Sequence, residues 1–185
     1  METKGNKKRL FETKDLVSMA LFTAALSVSA YISIPLPLPG GVHLSILNLV
    51  ILLIALLFPV WQSFFIVLVW LLLGIVGVPV FAAGSAGVGY FLSPLGGYNL
   101  GFLLVSILLP LLKQKKQSRI FDTILAVIGV LVIDIAGMVW MKLAGAMTWQ
   151  TAFLVGFLPV IPLDIVKAVV VARILPVFRR SIVEV

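Results

Sequence analysis

The run IFDTILAVIGVLVIDIAGMVWM, Ile120–Met141, decides the fold. At about 1.5 Å of helix per residue it is long enough to cross the roughly 30 Å hydrocarbon core of a bilayer. Arg119 stops it on one side and Lys142 on the other, and Asp122 and Asp134 are its acids. Similar apolar runs lie on both sides of it, at about 16–34, 44–58, 60–78, 97–112 and 152–176. The second and fourth are short for a span, which tilt and interfacial ends accommodate.

Composition agrees. Hydrophobic residues make up 62% of the 185 and charged residues 11%, with a mean hydropathy of +1.21. A soluble domain is roughly 45–50% apolar and must cover its surface with polar groups. Too few are present here, so lipid is the solvent that explains the chain. The absence of cysteine excludes disulfides, thiolate chemistry and cysteine-bearing metal sites, and one histidine, His43, leaves no imidazole cluster. No metal or cofactor is expected. The basic start followed by an apolar run resembles a signal peptide, but no clear cleavage site precedes a polar mature domain.

The net charge of +7 reads as topology rather than nucleic-acid binding, because the charged segments carry no interleaved aromatics for stacking on bases. Lys4, Lys7, Lys8, Arg9 and Lys14 precede the first run, Lys113, Lys115, Lys116 and Arg119 separate the fourth from the fifth, and Arg173, Arg179 and Arg180 close the last. Basic residues collect on cytoplasmic flanks. Six spans put all three clusters on that side; five or seven would misplace one. The prediction is an all-α membrane protein of six transmembrane helices with both termini cytoplasmic. It forms a single membrane domain over 1–185, with a basic segment at 1–15 and the bundle at 16–178. Period-two strands of a barrel are absent.

The breaks are written in proline and glycine. Pro59 separates runs two and three, and Pro35 to Gly41 cannot continue a helix. The uncharged stretch from Pro79 to Gly97 holds Gly84, Gly87, Gly89, Pro94 and Gly96. Non-helical backbone at membrane depth survives where protein buries it or where it lines a cavity. Cavity lining is the favoured role here, and tight loop packing is the alternative.

Ionisable groups inside the spans are Asp134, Asp164 and Lys167, and helix rise places them in the outer half or near the middle. Asp122 and Arg173 lie near cytoplasmic ends, within reach of water. Asp164 and Lys167 are three apart and share a helix face. They form either a self-neutralising pair or a ligand contact. The ligand is favoured, since a purely structural pair is readily replaced by apolar packing. Asp134 contacts the ligand, counters Lys167 or bonds a neighbouring helix. Tyr90, Tyr98, Asn99 and Trp140 are candidate walls and hydrogen-bond partners; Tyr31, Tyr98, Trp140 and Trp149 equally suit interface anchors. His43 reads as a solvated loop residue. Ala20 and Ala24, and likewise Gly97 and Gly101, have the spacing that lets helices approach closely.

Gly77-Val78-Pro79-Val80-Phe81-Ala82, followed by Ser93-Pro94-Leu95-Gly96-Gly97-Tyr98 and Gly101-Phe102, resembles the signature of the BioY family, the biotin-specific substrate-binding components of energy-coupling factor (ECF) transporters. The likeness covers nearly the whole chain; Leu95 departs from a frequent Thr. It implies a six-helix bundle in a prokaryotic cell membrane that captures biotin from outside. It further implies a membrane scaffold subunit that would dock on Ala20 and Ala24 and two cytoplasmic ATPase subunits that would supply the energy. Asp164 and Lys167 would meet the ureido ring. Phe81, Gly84 and Ser85 join the candidate substrate contacts, with Tyr90, Tyr98, Asn99, Asp134 and Trp140. An S component for another vitamin and a self-sufficient carrier are the competing readings. An enzyme is not expected, because isolated acids without Cys or a second His make no hydrolytic constellation.

Overall fold

The computed structural model describes residues 13–35, 37, 42–113 and 118–183, without the side chains of 181–183. Lys4, Lys7, Lys8, Arg9, Lys115 and Lys116 of the basic clusters, and most of the Pro35–Gly41 break, lie outside the described residues. Helices dominate. α1 is Thr13–Ser29, α2 Leu47–Leu57, α3 Val60–Val76, α4 Gly87–Leu92, α5 Gly96–Leu112, α6 Arg119–Ala144, α7 Trp149–Ala152 and α8 Ile161–Val183.

Each boundary has a local cause. Pro59, extended at φ −61 and ψ 161, opens α3 directly after the extended Phe58 closes α2. Gly77 ends α3 with φ 115, and its N–H bonds back to the carbonyls of Gly74 and Leu73. A left-handed closing residue of this kind strongly favours glycine. The last apolar run is broken rather than continuous. α7 passes into a π-helical turn at Phe153–Phe157, and the chain bends by 44° before α8. Pro159 and Pro162 flank that bend. The first run also stops early, at Ser29. Beyond it, β1 (Ser33–Pro35) pairs antiparallel with β2 (His43–Ser45), Ile34 opposite Leu44. This small ribbon is the departure from an all-helical expectation.

α2 is the hub of the bundle: every residue from Ile51 to Leu57 is buried. α5 lies against α6 where Gly97 and Gly101 form a notch; a Cβ on Gly97 would strike Trp140, and one on Gly101 would press on the Ile133 backbone. The spacing of these two glycines therefore serves packing within the chain. The outer surface remains apolar, with Leu16, Leu21, Val69, Leu72, Leu104, Ile124, Val166 and Val177 among its exposed residues. Among the described residues, Arg119–Ala144 is the single helix long and apolar enough to cross a membrane by itself, and the bent α7–α8 pair meets the test together; α2, α3 and α5 are shorter apolar helices.

The end of the bundle away from the ribbon is closed by ions. Arg179 of α8 makes a two-pronged contact with Asp122 of α6, at 2.7 and 3.1 Å. Asp122 is only 3% exposed, which corrects its reading as an acid that reaches water: a long bidentate partner covers it. Lys113 donates to the carbonyls of Leu56, Leu57 and Phe58, the last at 2.7 Å. It thus satisfies the end of α2 rather than serving only as a flanking charge.

Candidate functional site

At the ribbon end, α2, α5, α8 and β2 surround a cavity with about 510 Å³ of atom-free space, its open mouth included. Its walls are Leu44, Leu47, Tyr90, Leu95, Tyr98, Phe102 and Val160, and its polar groups are His43, Ser45, Asn48, Asn99, Asp164 and Lys167. An apolar hollow with a few convergent polar groups is the usual form of a small-molecule site.

The charged pair sits in the wall. Lys167 Nζ lies 2.6 Å from Asp164 Oδ1 and donates also to the Ser45 carbonyl at 2.7 Å. Asn48 Nδ2 donates to Asp164 Oδ2 at 2.5 Å. Asp164 is 2% exposed, and the two donors offset the cost of placing its charge there. One turn of α8 sets the spacing, because residues three apart stand on one helix face. Lys167 also fastens β2 to α8 through the Ser45 contact, so the ribbon closes the site from the side.

Among the described residues, two polar groups on the cavity lining have no hydrogen-bond partner. The Asn99 Nδ2 atom is buried without a hydrogen bond, and so is His43 Nδ1. A buried donor left unmatched is costly, so Asn99 is free to donate to a group that enters the cavity. His43 is half-buried on β2, not a solvated loop residue, because strand pairing draws it over the cavity.

The aromatic wall is a stack with visible backing. Phe81 stacks on Tyr90 at 5.2 Å and meets Trp70 edge-on at 5.3 Å, and Trp70 lies 5.9 Å from Phe102. Trp70 is held by its indole N–H on the Val80 carbonyl. Tyr90 and Phe102 are the lining ends of this column. The Tyr98 hydroxyl donates to the Gly156 carbonyl at 2.5 Å, in the π-helical turn, so its ring faces the cavity while its polar atom ties α5 to the bend before α8.

Asp164, Lys167, Tyr90, Tyr98 and Asn99 are thus brought together. Five other sequence candidates stand off the lining. Phe81 is the buried middle of the aromatic column, displaced from the wall by Tyr90. Gly84 and Ser85 belong to a tight turn: Ser85 bridges back to Phe81, and Gly84, at φ +72, packs against the Tyr31 ring. Trp140 is turned away, its indole N–H on the Ser93 carbonyl at 2.9 Å. Asp134 is wholly buried behind the wall. Asn48 escaped the sequence reading, because a polar residue at the start of an apolar run looks like a boundary. Its one signal is being an amide within an otherwise aliphatic segment.

Ala20 and Ala24 lie elsewhere, both exposed. With Thr23 and Ser27 they floor a groove bounded by Phe65, Val69 and Leu73 of α3.

Comparison with known proteins agrees with this geometry. The chain is 33% identical over 158 residues to biotin transporter BioY2 of Lactococcus lactis subsp. cremoris, covering 84% of this chain and 86% of that protein. It is 32% identical over 171 residues to biotin transporter BioY of Thermotoga maritima, covering 92% and 99%. The fold matches the crystal structure of the S-component for biotin from an ECF-type ABC transporter, with a TM-score of 0.84 and 25% identity over 97% of this chain and 95% of the other. The BioY family model matches residues 2–184, and with the cavity, the apolar helical bundle and that fold in agreement, the chain belongs to the BioY family.

Proposed function

We propose that this chain captures biotin at the outer face of a prokaryotic cell membrane, as the substrate-binding subunit of an ATP-driven ECF uptake transporter. It is a transport component, not an enzyme. The observation that carries the reading is the buried Asp164 carboxylate held by the half-buried Lys167 and by Asn48, set in an aromatic cavity beside the unmatched Asn99 amide.

Biotin offers two ureido N–H donors, one ureido carbonyl, an apolar thioether ring and an acyl carboxylate. Asp164 accepts from the ureido N–H groups. The carbonyl takes a hydrogen bond from Asn99 or Lys167, and the ring lies against Tyr90, Tyr98 and Phe102. The acyl chain then runs toward the ribbon and His43. Charge-assisted hydrogen bonds in a dry site are the strong ones, and they give selectivity for a ligand with matching donors.

Six spans with both termini cytoplasmic accord with the basic clusters and with polar centres at the two bundle ends. From Asp122 to Asp134 and from Asp164 to Arg179, helix rise gives about 20 Å of separation. The groove at Ala20 and Ala24 is the docking surface for a transmembrane scaffold subunit, which couples the chain to two cytoplasmic ATPases. Small residues let a partner helix approach closely in lipid.

Isothermal titration of the detergent-purified protein with biotin tests the capture step. Thermal-shift screening with biotin, thiamine and riboflavin tests the choice of vitamin. Saturable, stoichiometric heat with biotin and stabilisation by biotin alone are expected; a larger shift with another vitamin would reassign the ligand.

A further inference from the structure

Asp134 of α6 is completely buried, and neither carboxyl oxygen receives a hydrogen bond from an N–H or O–H group among the described residues. The charged groups that act on it both come from α8: the Asp164 carboxyl, within hydrogen-bonding reach, and Lys167. From α5 it faces Tyr98, whose hydroxyl already donates to Gly156. Two carboxylates beside one ammonium would leave a negative charge without compensation in apolar surroundings, which is costly. The two acids are not equally equipped to carry the charge. Asp164 receives Lys167 and Asn48; Asp134 receives nothing. A carboxyl that has no donor and faces a carboxylate satisfies both groups by keeping its own proton and donating it.

We infer that Asp134 is a proton-bearing positioning residue: a neutral acid whose O–H donates to Asp164 and holds that carboxylate against the cavity wall, with no contact to the ligand itself. The role at the wall rests on the reading of Asp164 as the ligand's acceptor. The arrangement gives the cavity one oriented charge where two acids lie side by side, and it explains why Asp134 stands behind the lining.

Infrared spectroscopy of the ligand-free protein in detergent at neutral pH tests the proton directly. The C=O stretch of a buried carboxylic acid is expected in the wild type and is expected to vanish in Asp134→Asn. Biotin titration tests the positioning. Asp134→Asn retains a donor toward Asp164 and is expected to bind within about threefold of wild type, whereas Asp134→Leu keeps the volume, loses the donor and binds at least about tenfold more weakly. An acid band absent from the wild type, or unchanged in Asp134→Asn, overturns the inference. So does Asp134→Asn binding as poorly as Asp134→Leu when both are folded, or Asp134→Leu binding like wild type. A folded wild type that binds no biotin defeats the proposed function instead, and the infrared comparison still decides the proton.

Discussion

Asn48 and Asp164 stand 116 positions apart and meet through an amide-to-carboxylate hydrogen bond of 2.5 Å. With Lys167 on the other oxygen, the carboxylate is gripped from α2 and from its own helix. A hydrogen bond to a charged group contributes about 1.5–3 kcal/mol. Asn48→Ala is therefore expected to weaken biotin binding by about tenfold or more, and Asn48→Asp by more still, because it sets a second carboxylate against the first. Titration of both variants beside wild type checks this; unchanged affinity in both would remove Asn48 from the site.

Lys167→Ala takes away the ammonium and leaves Asp164 buried without its ion partner, a change that typically costs about 3–5 kcal/mol. Binding and thermal stability should both fall. Asp164→Asn should abolish tight binding with a smaller stability loss, and the double variant Asp164→Asn with Lys167→Ala should recover stability over Lys167→Ala alone without recovering binding. Melting curves and titrations on the three proteins separate these effects.

Gly137 of α6 is covered by the Tyr98 ring, which a Cβ at that position would overlap. Gly137→Ala should push Tyr98 into the cavity and strain its bond to Gly156. A lower melting temperature together with weaker biotin binding is the expected pair of results; a variant that melts like wild type and binds fully would show that the ring has room to move.

Burial and the neighbouring Arg179 lower Lys113 to about 8 from an ordinary 10.5. Below about 8 the ammonium is charged whether the protein is folded or unfolded, so its effect does not vary with pH. Between about 8 and 10.5 the unfolded chain holds the proton more tightly than the folded one, and this residue's contribution to stability rises with pH. The stability of wild type relative to Lys113→Met should therefore increase from pH 8 to pH 10 in reversible denaturant unfolding. A flat difference would contradict the burial of the charge.

Ala20→Phe or Ala24→Phe fills the small-residue groove on α1 without touching the cavity. Biotin binding by the solitary chain should be unchanged, while copurification with a scaffold subunit and biotin uptake in cells should be lost. Pull-down and uptake assays on the same variants check the two halves of the statement.

Several features were legible from residue order because they depend on local chemistry. Pro59 marks the break between two apolar runs because it removes a backbone donor and favours a turn. That Asp164 and Lys167 share a helix face follows from helix periodicity, and the structure adds that they pair. Asn99 and Tyr98 were recognisable as polar or aromatic groups at the end of an apolar run. Asn48 and His43 were not, because their importance comes from elements far away in sequence: α8 brings a carboxylate to one, and β1 folds the other across the cavity. Trp140 and Phe81 were misplaced for the same reason. Their chemistry suits a ligand wall, but the ring orientations are set by the Ser93 carbonyl for one and by Trp70 and Tyr90 for the other.

Residue order by itself determined that the chain is an apolar helical bundle, that it breaks at Pro59, and that Asp134, Asp164 and Lys167 lie within its apolar runs. Those properties arise from hydropathy, backbone restriction and a periodicity of 3.6. Only the tertiary structure decided which buried groups share a surface: Asn48 with Asp164 on the cavity, Asp134 behind it, and Asp122 with Arg179 at the far end. The reason is physical, since the partner of a buried charge is whatever donor packing places within about 3 Å, and packing joins positions that no local pattern links.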